Sequence, residues 1–553
     1  MKKTMFTKLV LTALVGSMIL ASCGNGSSSE GEGGSASSGS STTATSNEPY
    51  ELPLVTDGSV TISIASYENY LTGYNYSDGL PVWQKYEEDT GVKIDWQMTP
   101  SSDYVTVMQT RLAAGEDLPD FMNVPGSAMQ YVEDGLFISL TEQLDKNGYY
   151  TRQFYEANPY VKPFVTGPDG EIYFFTNDVA GTSLADPYTF MIREDWLKKF
   201  GLEDPETLDD WYNCWKTFLE EDANGNGQRD EIPFCNDNTL QGVLGFGEAY
   251  GLYLHASGGW SVGTDGKVTY DYIKPEAKEL LTWLNKCYTE GLLDKEFATQ
   301  NSDTIMKKVS SNQSGGVFRF LNGLDTYNKA LASAGIDGSY KVVKPPKSSA
   351  DSDTEPFVER YGPISGLYGF TKGCEDLDIK FKFVDYFYAS EAGNRGTCFG
   401  VEGTSYEVKD GKPVFTDYVL NNPDGMGTSS ALRSLGAMPT LPWNRSLNGY
   451  WSYQAPQTIA HNPNAVAAAE MMQDYIHDSF PTRILLTSDE QAIITQYAAD
   501  LETRSKEMMT RFIMGQESLD NFDKFVSELE AMGLAEVTAI RQSQYDRYIA
   551  GQK

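Results

Sequence analysis

The stretch from Ser59 to Val124 switches between two hydrophobic periods, and that switching constrains the architecture more than any other feature of the chain. Ser59-Val60-Thr61-Ile62-Ser63-Ile64-Ala65 repeats with period two, placing Val60, Ile62 and Ile64 on one side of a strand. Pro81 to Asp89 reads as a helix stopped by Gly91, and Val92-Lys93-Ile94-Asp95-Trp96 reads as a second strand. Tyr104 to Ala114 is the next helix, closed at Gly115, and Asp120-Phe121-Met122-Asn123-Val124 is the third strand. Strand, helix and strand at this spacing make a βαβ unit, in which the helix carries the chain back and leaves the two strands parallel. The fold class is therefore α/β. The body of the chain, about 500 residues, is too long for one hydrophobic core, so at least two lobes are expected.

Ahead of this body, Met1-Lys2-Lys3 precedes an apolar stretch from Leu9 to Leu20, which runs into Leu20-Ala21-Ser22-Cys23. The arrangement resembles a bacterial lipobox, in which residues 1–22 are a signal peptide, cleavage falls before Cys23, and Cys23 carries lipid. An ordinary secretory signal with an incidental cysteine is the alternative. The apolar run is about a dozen residues long, short of the ~20 that a helix needs to cross a bilayer. The expectation is a chain lipid-anchored on the extracellular face of the cell membrane. Residues 23–48 then form a Gly/Ser-rich linker that lacks the apolar surface needed for order, with an r.m.s. reach of roughly 25–30 Å.

The formal net charge is -34, and it becomes three units more negative once Lys2, Lys3 and Lys8 leave with the signal. That balance argues against nucleic acid and against an anionic membrane surface as partners. Beyond Cys23 there are Cys214, Cys235, Cys287, Cys374 and Cys398, an odd set without CxxC spacing. Neither a disulfide framework nor a cysteine-ligated zinc site is expected from it.

Further helices have readable ends. Thr207 caps one with Asp210 three residues on, and Trp211, Cys214, Trp215 and Phe218 fall on its buried face. Another starts at Pro275 and stops at Gly291, and a third spans about Asp378 to Ser390. Between them lies Asp222-Ala223-Asn224-Gly225-Asn226-Gly227-Gln228-Arg229-Asp230-Glu231. Oxygen-bearing side chains at Asp222, Asn224 and Asn226, glycine at the sixth position, the Gln228 carbonyl and an acid at Asp230 reproduce the first nine positions of an EF-hand loop. Hard oxygen donors in a tight turn suit calcium better than magnesium, in a structural role. The twelfth position is Pro233, which cannot supply the bidentate carboxylate of an EF-hand.

Ser66-Tyr67-Glu68 after the first strand, Ala114-Gly115-Glu116-Asp117-Leu118-Pro119-Asp120, Ile192-Arg193-Glu194-Asp195-Trp196-Leu197, Pro205-Glu206-Thr207-Leu208 and Phe399-Gly400-Val401-Glu402-Gly403-Thr404-Ser405-Tyr406 occur in that order. With them the chain resembles the extracellular solute-binding lipoproteins of bacterial ABC importers, family 1. The match is to the carbohydrate-binding branch, which includes long Gram-positive lipoproteins and alginate-binding proteins. The resemblance implies a two-lobed, type II periplasmic-binding-protein-like fold that closes by a hinge, without catalysis. Its first lobe is expected at 59–178 plus 345–405 and its second at 179–344 plus 406–553. The similar loop of the alginate-binding proteins implies that Glu231 takes the role missing at Pro233. The implied partners are an oligosaccharide and two ABC permease subunits, for a monomeric protein.

Sugar sites combine aromatic platforms with hydrogen-bonding side chains. Trp260, Trp443, Trp451 and Tyr67 are the candidate platforms because they stand in polar or glycine-rich segments. Glu68, Asp120, Arg193 and Glu402 are the candidate polar groups. Each has a packing or capping role as its alternative. The negative charge favours a neutral sugar. A peptide-binding or sensor-linked binding protein is the nearest rival and a secreted glycoside hydrolase the next, although HExxH, GxSxG and Walker motifs are all missing.

Overall fold

The opening βαβ unit forms as its periodicity predicts. In the computed structural model, which describes residues 48–178, 187–236, 239–445, 457 and 463–552, β1 (Thr61–Tyr67) lies parallel to β2 (Lys93–Thr99), with Ile62 opposite Ile94. The Pro81–Thr90 helix joins them, starts on a proline and ends at Gly91, whose φ of 74° supplies the left-handed cap. A side chain would not fit there, since a Cβ on Gly91 would lie 1.8 Å from the Val55 carbonyl oxygen. Cys23, the expected signal and most of the linker, and Trp451 lie outside the described residues. Among the described residues, no helix is long and apolar enough to cross a membrane.

The remaining strands follow in order as β3 (Phe121–Asn123), β4 (Phe175–Asp178), β5 (Tyr188–Arg193), β6 (Cys235–Asn236), β7 (Trp260–Val262), β8 (Val268–Tyr270), β9 (Gly316–Phe320), β10 (Tyr340–Val343), β11 (Val358–Arg360), β12 (Ile364–Phe370), β13 (Tyr406–Lys409), β14 (Lys412–Phe415) and β15 (Ile476–Asp478). One sheet has the order β2-β1-β3-β12-β4 and the other the order β10-β5-β9-β6. β12 runs antiparallel to both β3 and β4, so β1, β2, β3 and β4 all point the same way.

Each sheet has its own hydrophobic core, and these cores define two lobes. Ile62, Ile64, Trp83, Tyr86, Phe121, Phe370 and Phe387 belong to the first. Phe190, Trp196, Trp211, Trp215, Phe234, Phe246 and Leu284 belong to the second. The Leu208–Glu220 helix carries the expected Thr207 capping box and buries both tryptophans. The five cysteines of the body are free and four are buried. Burial pushes the Cys214 thiol up to about 12, so it stays an uncharged core group.

The expected lobe limits are corrected at two places. Val358 packs into the second core, so the segment just after residue 345 stays with that lobe. Tyr406, Phe415, Leu432, Leu441 and Trp443 pack into the first core, so the chain does not leave that lobe at 405. The β13–β14 hairpin brings these residues back against Phe399, whose ring is 5.1 Å from that of Phe415.

The chain passes between lobes after β4 and again between β11 and β12. Later it passes from Phe480 in the second core to Leu485 in the first. β11, which leads into the passage to β12, and β15, which precedes the passage from Phe480 to Leu485, pair in parallel with Val358 opposite Ile476. Phe357 stacks on His477 beside them, 4.6 Å between ring centres. Phe164, Ile364 and Ile484 form a small separate cluster at the same junction, joined by Tyr548 of the last helix.

Candidate functional site

In open α/β sheets the ligand sits beyond the carboxyl ends of the parallel strands. In the first lobe these ends carry Tyr67 (β1), Asn123 (β3) and Asn177 (β4). Hydrogen bonds tie them to a segment from much later in the sequence. Thr440 Oγ1 donates to the Tyr67 carbonyl (2.7 Å), Tyr368 Oη to the Thr440 carbonyl (3.1 Å) and the Trp443 N–H to Asn177 Oδ1 (3.0 Å). Tyr104 stands behind Tyr67, with ring centres 4.5 Å apart, and its hydroxyl donates to the Asn123 carbonyl at 2.7 Å. The result is a rigid polar and aromatic rim.

The second lobe carries an aromatic cluster on residues that flank two of the chain passages. Tyr188 opens β5 directly after the first passage, Phe320 ends β9, and Tyr361 stands between β11 and β12. Phe320 lies 4.0 Å and Tyr361 5.8 Å from Tyr188 between ring centres. Phe320 and Tyr361 are both part-exposed, which is the presentation that a sugar ring face requires. Neither aromatic was expected from the sequence; the available signals were a Phe at the end of an apolar strand and a Tyr just ahead of Gly362-Pro363.

The sequence-derived candidates divide into those at the rim and those elsewhere. Tyr67 is part-exposed at the end of β1, and Glu68 beside it is exposed. Trp443 stands at the rim, but its ring is largely buried, with the Arg445 guanidinium 4.2 Å from its centre. Glu402 is exposed in the turn that leads into β13.

Three candidates are corrected. Asp120 lies at the amino end of β3, the wrong end for a ligand, and its carboxylate accepts from Ser63 N (2.7 Å), Ser63 Oγ (2.9 Å) and Lys380 Nζ (2.8 Å). Arg193 is 1% exposed and spends its guanidinium on both Asp195 oxygens and on Asn312 Oδ1 (2.8 Å), 4.5 Å above Trp196. Trp260 packs in the second core on Tyr270, 4.6 Å between ring centres. Its neighbouring glycines serve that packing, since a Cβ on Gly259 (φ 91°) would fall 2.3 Å from the Tyr272 ring.

The oxygen-bearing side chains of the acidic loop bond to one another and to the loop backbone. Asp222 accepts from the Asn226 and Gly227 N–H groups (3.0 Å each), and Asn226 Oδ1 accepts from the Gln228 N–H (2.7 Å). The side-chain amides of Asn224 and Asn226 donate to Asp230 Oδ1 at 2.8 and 2.9 Å. Burial tends to raise the Asp230 carboxyl, but these amides and Gln313 outweigh it and hold it below its ordinary value. Glu231 is 4% exposed, accepts from the Asn224 N–H at 3.2 Å through Oε1, and leaves Oε2 buried without a partner. The orphaned Glu231 oxygen and the oxygen-bearing side chains of Asp222, Asn224, Asn226 and Asp230 are the donor type that a hard divalent cation takes.

Comparison with known proteins agrees with this architecture. The chain is 24% identical to the fructooligosaccharide ABC transporter substrate-binding protein FusA of Streptococcus pneumoniae serotype 4, with 100% of this chain and 99% of FusA covered. A structure of FusA described as an EF-hand mutant in complex with fructo-nystose superposes with a TM-score of 0.69 at 21% identity, covering 89% of this chain and 99% of that one. Lipoprotein LipO of Bacillus subtilis is 26% identical over 81% of this chain and 86% of LipO. The alginate-binding protein AlgQ2, solved without calcium ion, superposes with a TM-score of 0.70 at 25% identity, covering 90% of this chain and 100% of AlgQ2. Residues 76–394 match the family described as bacterial extracellular solute-binding protein. The family is one of binding proteins, which decides against the hydrolase alternative. With more than half of its length matched, the chain belongs to the bacterial extracellular solute-binding proteins.

Proposed function

We propose that this protein captures an oligosaccharide outside the cell and delivers it to an ABC importer. The part-exposed pair Phe320 and Tyr361, together with the strand-end groups Tyr67 and Asn177, carries the reading. Sugar rings stack on the aromatics while the rim amides take hydroxyls, and closure of the lobes follows from tighter contact in the closed state. Glu68 and the edge of Trp443 are further contacts in this scheme, and Glu402 is an outer one. The names of FusA and AlgQ2, a fructooligosaccharide carrier and an alginate binder, support the substrate class.

A structural calcium ion in the loop is part of the proposal, held by Asp222, Asn224, Asn226, the Gln228 carbonyl, Asp230 and Glu231. Its support is the orphaned Glu231 oxygen, together with a FusA structure described as an EF-hand mutant. Anchoring through lipid on Cys23 is likewise proposed, in keeping with the lipoprotein relative LipO. Docking of a monomeric, closed protein on two permease subunits completes the cycle.

Calorimetry of residues 48–553 against neutral and acidic oligosaccharides in calcium buffer tests the reading, with the sugar recovered afterwards. Binding of an intact sugar is the expected result. Silence across the panel together with binding of a peptide would replace it with the peptide-carrier alternative.

A further inference from the structure

Beside the aromatic cluster, three titratable side chains converge inside the second lobe. Glu248 stands in the Gly245–Tyr250 turn, His255 in the loop that follows, and Glu359 on β11, and all three are buried. Their potential ligand atoms lie within 4.8 Å of one another, with His255 Nδ1 4.0 Å from Glu248 Oε1. Glu248 Oε2 and both ring nitrogens of His255 have no hydrogen-bond partner. Glu248 Oε1 accepts from the Glu359 N–H at 3.0 Å, and Glu359 accepts from the Ala256 N–H (2.8 Å) and from Ser257 Oγ.

The surroundings offer no compensating charge. The imidazole is packed among the rings of Tyr188, Phe318 and Tyr361, 4.2 to 5.5 Å between centres. Among the described residues, His255 is the only ion-pair partner of either carboxylate. Two sealed carboxylates beside an imidazole are costly unless a cation or a proton neutralises them. Burial opposes charge on each group, raising both carboxyls and lowering the imidazole despite the nearby Glu359 backbone.

We propose that Glu248, His255 and Glu359 bind one divalent cation of the zinc class, separate from the calcium of the acidic loop. One imidazole and two carboxylates are the donor set that zinc, cobalt or manganese takes readily, whereas calcium takes oxygen alone. The otherwise partnerless atoms, Glu248 Oε2 and a His255 nitrogen, become ligands, and Glu359 contributes a carboxylate oxygen. All three side chains are sealed from solvent, at 1% exposure or less, so the ion has a structural role. It ties β11, the strand that leads into the interlobe passage, to the body of the second lobe.

A sealed site fills as the chain folds, so the test is refolding of the full chain from urea with cobalt(II) or with chelator, followed by desalting. An Asp230→Ala background removes the acidic loop as a competing site. The expected result is one cobalt per chain, a visible d–d absorption band and a higher melting temperature than the chelator-treated protein. Glu248→Gln and His255→Gln should lose both cobalt and band. No retained cobalt with identical melting in the two preparations would overturn the proposal, without reliance on either variant, and would leave a shared proton as the neutralising charge. A band that persists unchanged in His255→Gln would overturn it equally.

Discussion

Tyr50 Oη donates to the carboxylate of Asp385, 3.1 Å away, and so joins the segment ahead of β1 to a buried helix of the first lobe. The same carboxylate accepts from the backbone N–H groups of Tyr150 (3.2 Å) and Thr151 (2.7 Å). Burial still dominates, and it raises Asp385 from 3.8 to about 6.

A pH dependence follows. The folded protein holds this proton more tightly than the unfolded chain does, so the stabilisation is complete below about pH 3.8 and is lost as pH rises through about 6. The difference corresponds to about 3 kcal/mol. Asp385→Asn, which cannot ionise, should gain stability relative to the parent between pH 4 and pH 7. Paired urea titrations across that range check it, and a constant gap between the two proteins would be the contrary result.

Calcium should raise the melting temperature and EGTA should lower it. Saturation at a hundred times the dissociation constant corresponds to about 2.7 kcal/mol. Asp230→Ala should melt at the EGTA value in both buffers. Scanning calorimetry decides, and a melting temperature indifferent to calcium in the parent protein would remove the ion from the loop.

Two substitutions separate packing from recognition. Asp120→Ala strands the buried Lys380 ammonium, so stability should drop by about 3 kcal/mol while the folded fraction binds sugar normally. Tyr361→Ala should weaken sugar binding roughly tenfold, and the lost ring contacts to Tyr188 and His255 should lower the melting temperature as well. Calorimetric affinities beside melting curves distinguish them, and a large affinity loss in Asp120→Ala would return that residue to the cleft.

Thr207→Ala should cost about 1 kcal/mol. It removes the hydroxyl that accepts from the Asp210 N–H at 3.2 Å and breaks one half of the capping box. The midpoint of urea unfolding reports it, with ligand affinity as the unaffected control.

Legibility in the sequence followed the range of the interactions. The βαβ opening and the Thr207 cap were readable, because periodicity and capping involve residues a few positions apart. Asp120 was misread because an acid beside a strand carries no mark of which strand end faces the cleft. Trp260 was misread because a Gly-Gly pair looks the same whether it exposes a ring or lets Tyr272 pack against the backbone. Phe320 and Tyr361 escaped notice because they meet only through the topology of β9 and the second passage. The return of Tyr406 to Trp443 to the first core has the same cause, as it depends on a hairpin finding Phe399 across the lobe.

The parallel pairing of β11 with β15 bears on how this protein can move. Two separate linkers would let the lobes twist, slide and splay. Strands laced together by a backbone ladder bend as one leaf, like the spine of a book. The β11–β15 ladder therefore makes two of the passages move together, which favours bending along their shared line over twisting.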